Sequence, residues 1–191
     1  SGAGGVTLCA GADGYRLIHK WVCGNLSTGD AGGVSHSGFI NNGTISNNQV
    51  LFNQSQNPTI PTHGGGIAVL GASPDRNLPV GGGVVAECGS TTDADCPPGL
   101  PEGTGRNLLI DANLIMGNSA ESGSGGGLRL QLVNGEDVVA FPLLPLLWNN
   151  VTVTNNIIAN KVAVWAGGGV SMQDASRVGF GSTTVMSNDT T

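Results

Sequence analysis

The sequence predicts an all-β protein, a parallel β-helix (solenoid) of about five stacked coils with two loop insertions. Three observations carry this. A motif N-x-Φ-Φ-x-N, with Φ apolar, recurs along the chain; a Gly cluster precedes each copy; and after each cluster apolar and polar residues alternate. Self-similarity at a fixed period is the signature of stacked units.

The motif reads NQVLFN at 48–53, NLIMGN at 113–118 and NNIIAN at 155–160, with looser copies opening at Lys20 (KWVCGN) and Thr183 (TTVMSN). Its opening asparagines are therefore Asn48, Asn113 and Asn155, and its closing ones Asn25, Asn53, Asn118, Asn160 and Asn188. The Gly clusters end at Gly5, Gly33, Gly66, Gly127 and Gly169, and the next motif opens 15, 15, 47, 28 and 14 residues later. Three of those steps agree within one residue, so the basic repeat is 28 residues and the other two coils carry inserts of about 32 and 13 residues. Val6, Val34, Ile67, Leu128 and Val170 form one apolar column after the Gly clusters, and Leu8, His36, Val69, Leu130 and Met172 a second, two residues on. Period-two alternation of this kind makes strands with one buried face. Each coil is expected to hold two or three short strands, stacked about 4.8 Å apart. Asparagines repeated at one corner can bond their amides to the copies above and below, and asparagine tolerates a left-handed corner. Glycine serves the other corner.

On those motifs the chain resembles the right-handed parallel β-helices of the pectin-lyase-like superfamily, in which asparagine ladders and glycine turns are familiar. The resemblance covers nearly the whole chain apart from the inserts. It implies a fold and leaves open a choice among lyases, hydrolases, adhesins and tailspikes, since fold does not select function.

Taken in order, residues 4–30 form a first coil that departs most from the pattern, with Lys20 in place of the opening Asn. Residues 31–63 form the second, closed by a turn with Pro58 and Pro61. The third, 64–124, carries a Pro-, Gly- and Asp-rich insert over 72–105; the fourth, 125–166, carries an insert over 134–148 with the apolar tip FPLLPLLW. That tip is costly to expose, so it packs on a flank or meets a partner. The fifth begins at Gly167. The whole of 1–191 reads as one β-helix segment of a longer chain, its open ends covered by flanking coils or by other subunits.

Composition narrows the function. Net charge is −6, and seven basic residues are scattered along the chain, which argues against nucleic acid. No apolar run is long enough for a membrane span. Four cysteines suggest an extracellular or cell-surface protein, with Cys88–Cys96 closing a small loop inside the long insert. Cys9 and Cys23 form either a second disulfide or two buried thiols.

Catalytic chemistry is hard to find. The outward column of the first strand is Thr7, Ser35, Ala68, Arg129 and Ser171, in which only Arg129 is charged. Paired carboxylates on adjacent coils, which glycosidic cleavage needs, are missing from it. Asp111, aligned with Ser46, Val153 and Gly181, is expected to hydrogen-bond a neighbouring turn, and His36 to be a satisfied core histidine. Asp93 and Asp95 are weak calcium candidates; no other metal or cofactor is expected. Two readings follow. The first is a non-catalytic extracellular structural or binding module that takes carbohydrate or a partner through its insert loops. The alternative is a polysaccharide lyase or glycoside hydrolase relative whose catalytic residues lie outside this segment.

Overall fold

The computed structural model describes residues 2–72, 103–134, 138, 142–143, 145 and 148–191. They form a parallel β-helix of five coils, each with four strands. The first coil runs β1 (Val6–Cys9), β2 (Arg16–Ile18), β3 (Trp21–Cys23) and β4 (Leu26–Ser27). The second has β5 (Val34–Ser37), β6 (Thr44–Ser46), β7 (Gln49–Leu51) and β8 (Gln54–Ser55). The third has β9 (Ile67–Leu70), β10 (Leu108–Asp111), β11 (Leu114–Met116) and β12 (Ser119–Ala120). The fourth has β13 (Leu128–Gln131), β14 (Val151–Thr154), β15 (Ile157–Ala159) and β16 (Val162–Ala163). The fifth has β17 (Val170–Gln173), β18 (Val178–Gly181), β19 (Thr184–Met186) and β20 (Asp189–Thr190). Like strands stack into four five-stranded sheets. Four strands replace the expected two or three because the shortest, after each motif, span only two residues, too few to show alternation.

The two apolar columns stand in register, Val6 to Val34 to Ile67 to Leu128 to Val170 and Leu8 to His36 to Val69 to Leu130 to Met172. With Ile45, Ile110 and Val153 from the second sheet and Val50, Ile115 and Ile158 from the third, they fill a continuous core. Among the described residues no helix is long and apolar enough to cross a membrane.

The asparagine columns are present, with a one-residue correction in the fourth coil. In the closing column Asn25 N and Nδ2 donate to Asn53 Oδ1 (3.0 and 2.7 Å), and Asn53 N and Nδ2 donate to Asn118 Oδ1 (2.8 and 2.9 Å). In the opening column Asn48 donates likewise to Asn113, and Asn113 to Asn156. Asn155 and Asn160 belong to neither column. Pairing of Leu114 with Ile157 and Met116 with Ala159 puts Asn156 under Asn113 and Lys161 under Asn118. Asn155 and Asn160 instead take left-handed backbone (φ 55° each), as do Asn47, Phe52, Ala112 and Gly117 at the equivalent positions. The corner therefore divides its work between two adjacent residues, one turning the chain and the next bonding along the stack. The same slip places Thr154, not Val153, beside Asp111.

The Gly corner divides its work too. The first residue of the last three clusters is left-handed, Gly64, Gly125 and Gly167 (φ 70°, 74° and 58°), and Ala31 takes that place in the second coil (φ 60°). The last is glycine because coils touch there. A Cβ on Gly66 would lie 2.6 Å from the Gly127 carbonyl oxygen and 2.9 Å from Asn118 Nδ2.

Candidate functional site

Both inserts leave the helix at the corner between the first and second sheets, from adjacent coils. Their feet are tied together. Ala72 and Gly103 exchange backbone hydrogen bonds (2.8 and 2.9 Å), Gly103 also bridges Asn134, and Thr104 N donates to the Val133 carbonyl (3.1 Å). Asn134 Oδ1 accepts from Asn149 N (2.8 Å) while its Nδ2 donates to the Asn149 and Ser176 carbonyls (3.0 and 2.9 Å), closing the second insert. Trp148, at the end of that insert, lies against the Arg177 guanidinium, 3.5 Å from ring centroid to Cζ. Trp148 is thus packed on the flank, whereas Pro142, Leu143 and Pro145 of the same apolar tip are exposed, Leu143 at 88%.

His36 supports the corner from inside. It is fully buried, with Tyr15 Oη 2.9 Å from Nδ1 and the Thr104 carbonyl 2.8 Å from Nε2. A neutral ring satisfies both, accepting from the tyrosine and donating to the carbonyl. Burial lowers the pKa to about 4, against a smaller opposing effect of the Thr104 bond.

Outside the same corner a cleft of about 530 Å³ is lined by Asp13, Phe39, Asn41, Asn42, Arg106 and Asn107. These residues come from three successive coils, and their left-handed turns (Asn42 φ 57°, Asn107 φ 61°) project short polar groups side by side. Asp13 accepts from Asn41 N (2.7 Å) and Nδ2 (3.1 Å), Asn41 Oδ1 accepts from Arg106 N (3.1 Å), and Asn107 Nδ2 donates to Asn42 Oδ1 (3.1 Å). The cleft wall is thus a polar ladder, a carboxylate and amides bonded from coil to coil.

On the outward face of the first sheet, Arg129 is 96% buried, being 4% exposed. Its Nη1 donates to Ser171 Oγ (2.7 Å) and its Nη2 to Gln131 Oε1 (3.3 Å) and Gln173 Oε1. Asp30 and His63 lie beside it across the Gly corner. His63 N donates to Asp30 Oδ1 (2.7 Å), and His63 Nδ1 accepts from Ser124 N (2.9 Å). Burial and then the Arg129 charge lower the His63 pKa, opposed by Asp30. The carboxylates Asp13, Asp30, Asp111 and Asp189 stand beside Asn41, His63, Thr154 and Val162 of an adjacent coil, so none of these four faces another carboxylate there.

The remaining predicted residues are dispersed. Asp111 accepts from Thr154 Oγ1 (2.8 Å) and Asn155 Nδ2 (2.7 Å), the expected turn contact. Cys9 and Cys23 are free and exposed, which corrects both readings offered for them. They sit on the outward flanks of different sheets, since only the central residue of a three-residue strand such as β3 points inward. Cys88, Cys96, Asp93 and Asp95 lie outside the described residues; among the described residues no group of three His, Cys, Asp or Glu is placed to hold a metal.

Sequence reasoning missed Lys161. It is 1% exposed, its Nζ has no hydrogen-bond partner, and burial alone lowers its pKa to about 6. The Asn-Asn pair at 155–156 hid it by offering two registers for one motif.

No family model, curated protein or solved structure matches the chain.

Proposed function

We propose that the chain is a non-catalytic structural and binding module of the parallel β-helix type, working outside the cell or at its surface. It holds two inserts side by side for a carbohydrate or protein partner. The observation that carries this reading is the tied pair of insert feet, Ala72–Gly103–Asn134, locked from within by His36. A scaffold that spends a buried histidine and a side-chain amide on fixing two loop bases is suited to presenting them in one orientation. The adjacent cleft favours a hydroxyl-rich ligand, since Asp13, Asn41 and Asn107 supply acceptors and donors at short spacing. Against a lyase or hydrolase reading stands the spacing of the carboxylates: Asp13, Asp30, Asp111 and Asp189 each stand beside a residue other than Asp or Glu on the adjacent coil, so they form no facing pair.

An extracellular setting is supported by Cys88 and Cys96, spaced to form a disulfide in an oxidising compartment. The binding reading is tested by retention of the chain on immobilised plant and bacterial polysaccharides. Asp13→Ala should weaken retention roughly tenfold, the loss of one or two charge-assisted hydrogen bonds. Retention that survives both Asp13→Ala and removal of the inserts would overturn the assignment of the surface.

A further inference from the structure

The third sheet is apolar on its inner side and largely apolar on its outer side, where Gln49 and Thr184 are the polar residues. In β3, β7, β11, β15 and β19 the central residues, Val22, Val50, Ile115, Ile158 and Val185, point into the helix. The flanking residues point out, and in the middle of the sheet they include Leu51, Leu114, Met116 and Ile157, with Trp21 and Met186 at its two ends. No outward position of this sheet carries a charge. The first sheet differs: apart from Ala68 and Leu70 in its middle strand and Cys9 at its end, its outward residues are polar, Thr7, Ser35, Ser37, Arg129, Gln131, Ser171 and Gln173. Phe52 extends the surface, lying over Gly117 at the next corner, where an added Cβ would meet the ring at 2.4 Å.

A strand with one face in water alternates apolar and polar; one buried on both faces reads as a continuous apolar run. The runs LIM in β11 and IIA in β15 are of the second kind. Yet Trp21 is 75% exposed, Phe52 58%, Met186 53% and Ile157 47%. With roughly 200 Å² for a large apolar side chain, those fractions and the half-buried neighbours leave on the order of 600 Å² open to water. That equals the share of one partner in an interface of about 1,200 Å², the lower bound for a stable complex.

We propose that the third sheet is a docking face for a second copy of this chain, packed sheet to sheet. Three features select that occupant. The face is a regular five-stranded sheet surface, the form that stacks on another sheet at about 10 Å. It is uncharged, so two copies meet without repulsion, whereas the −6 charge of the chain resides elsewhere and disfavours contact through other faces. It holds no outward Lys or Arg, the residues that draw a protein surface onto anionic lipid. One patch meeting its own copy closes a two-fold dimer, and the insert corner, on the far side of the second sheet, stays free.

The test is sedimentation of the 191-residue chain beside Ile157→Lys, with Thr152→Lys, an exposed position on the second sheet, as the control for an added charge. Circular dichroism confirms that each variant is folded. The proposal requires Ile157→Lys to sediment at half the mass of the unaltered chain while Thr152→Lys keeps the full mass. Equal masses for the chain and folded Ile157→Lys would overturn it. So would a monomeric chain that floats with neutral phosphatidylcholine vesicles and loses flotation on Ile157→Lys, which would give the face to lipid. If Ile157→Lys does not fold, Met116→Gln replaces it under the same criterion.

Discussion

A buried lysine occupies the place where the closing column calls for an amide. Asn118 donates to the Val50 carbonyl (2.9 Å) and accepts twice from Asn53, but Lys161 beneath it has no side-chain oxygen to continue the chain of bonds. The column resumes below, where Lys161 N donates to Asn188 Oδ1 (3.2 Å). Charging Lys161 sets an unpaired cation in the core, so burial depresses its pKa from 10.5 to about 6. The sign of the linkage follows: between those values the unfolded chain binds a proton that the folded chain does not, so stability rises with pH across the window. As pH falls from 10.5 the cost accumulates, and it is complete below about 6. Lys161→Asn should therefore raise the melting temperature at pH 7 and flatten the stability profile between pH 6 and 10.5. The opposite change, Asn118→Leu, should cost about 1–3 kcal/mol by orphaning the Asn53 donors. Thermal unfolding at several pH values reads both; equal melting temperatures for all three chains would mean that the column bears no stability. The column itself was legible from its repeating asparagines. Its break was not, because a lysine in a short motif signals a surface, and only the strand register shows it buried.

At the scale of elements, each insert is an addition to a coil that closes without it. The second coil passes from Ser37 to Thr44 directly, whereas the third makes the same passage through Ala72 and Gly103, already hydrogen-bonded to each other. Replacing residues 73–102 with a two-residue turn should leave the β-sheet circular dichroism unchanged, since the pairing of β9 with β13 and of β10 with β14 does not pass through the insert. Loss of that signal would show that the insert belongs to the core. Strands of the first sheet were legible because four residues suffice to display alternation. The third sheet's outward apolar face was present in the motif as its two adjacent apolar positions, which cannot both point inward in a strand of period two. The tied insert feet were not legible, since they depend on Gly103 and Asn134, distant in sequence and unremarkable in type.

For the whole molecule, the repeat count fixed five coils, and the stack shows five. Strands β1–β4 and β17–β20 pair on one side only, and the inward columns lose cover there: Met172 and Val185 of the last coil are half-exposed, whereas Leu130 and Ile158 one coil above are fully buried. Stability therefore concentrates in the middle coils, where both asparagine columns and both insert feet are anchored. A centre braced on both sides, with its polar cleft and insert feet at one corner, suits the proposed role, in which the chain holds a ligand without turning it over. The direct measurement is incubation of the chain with plant and bacterial polysaccharides, with assays for new reducing ends and for unsaturated uronates. The expected result is retention of the chain on a polysaccharide with neither product formed. Formation of either product, lost on Arg129→Ala or Asp13→Ala, would contradict it and place the chain among the enzymes.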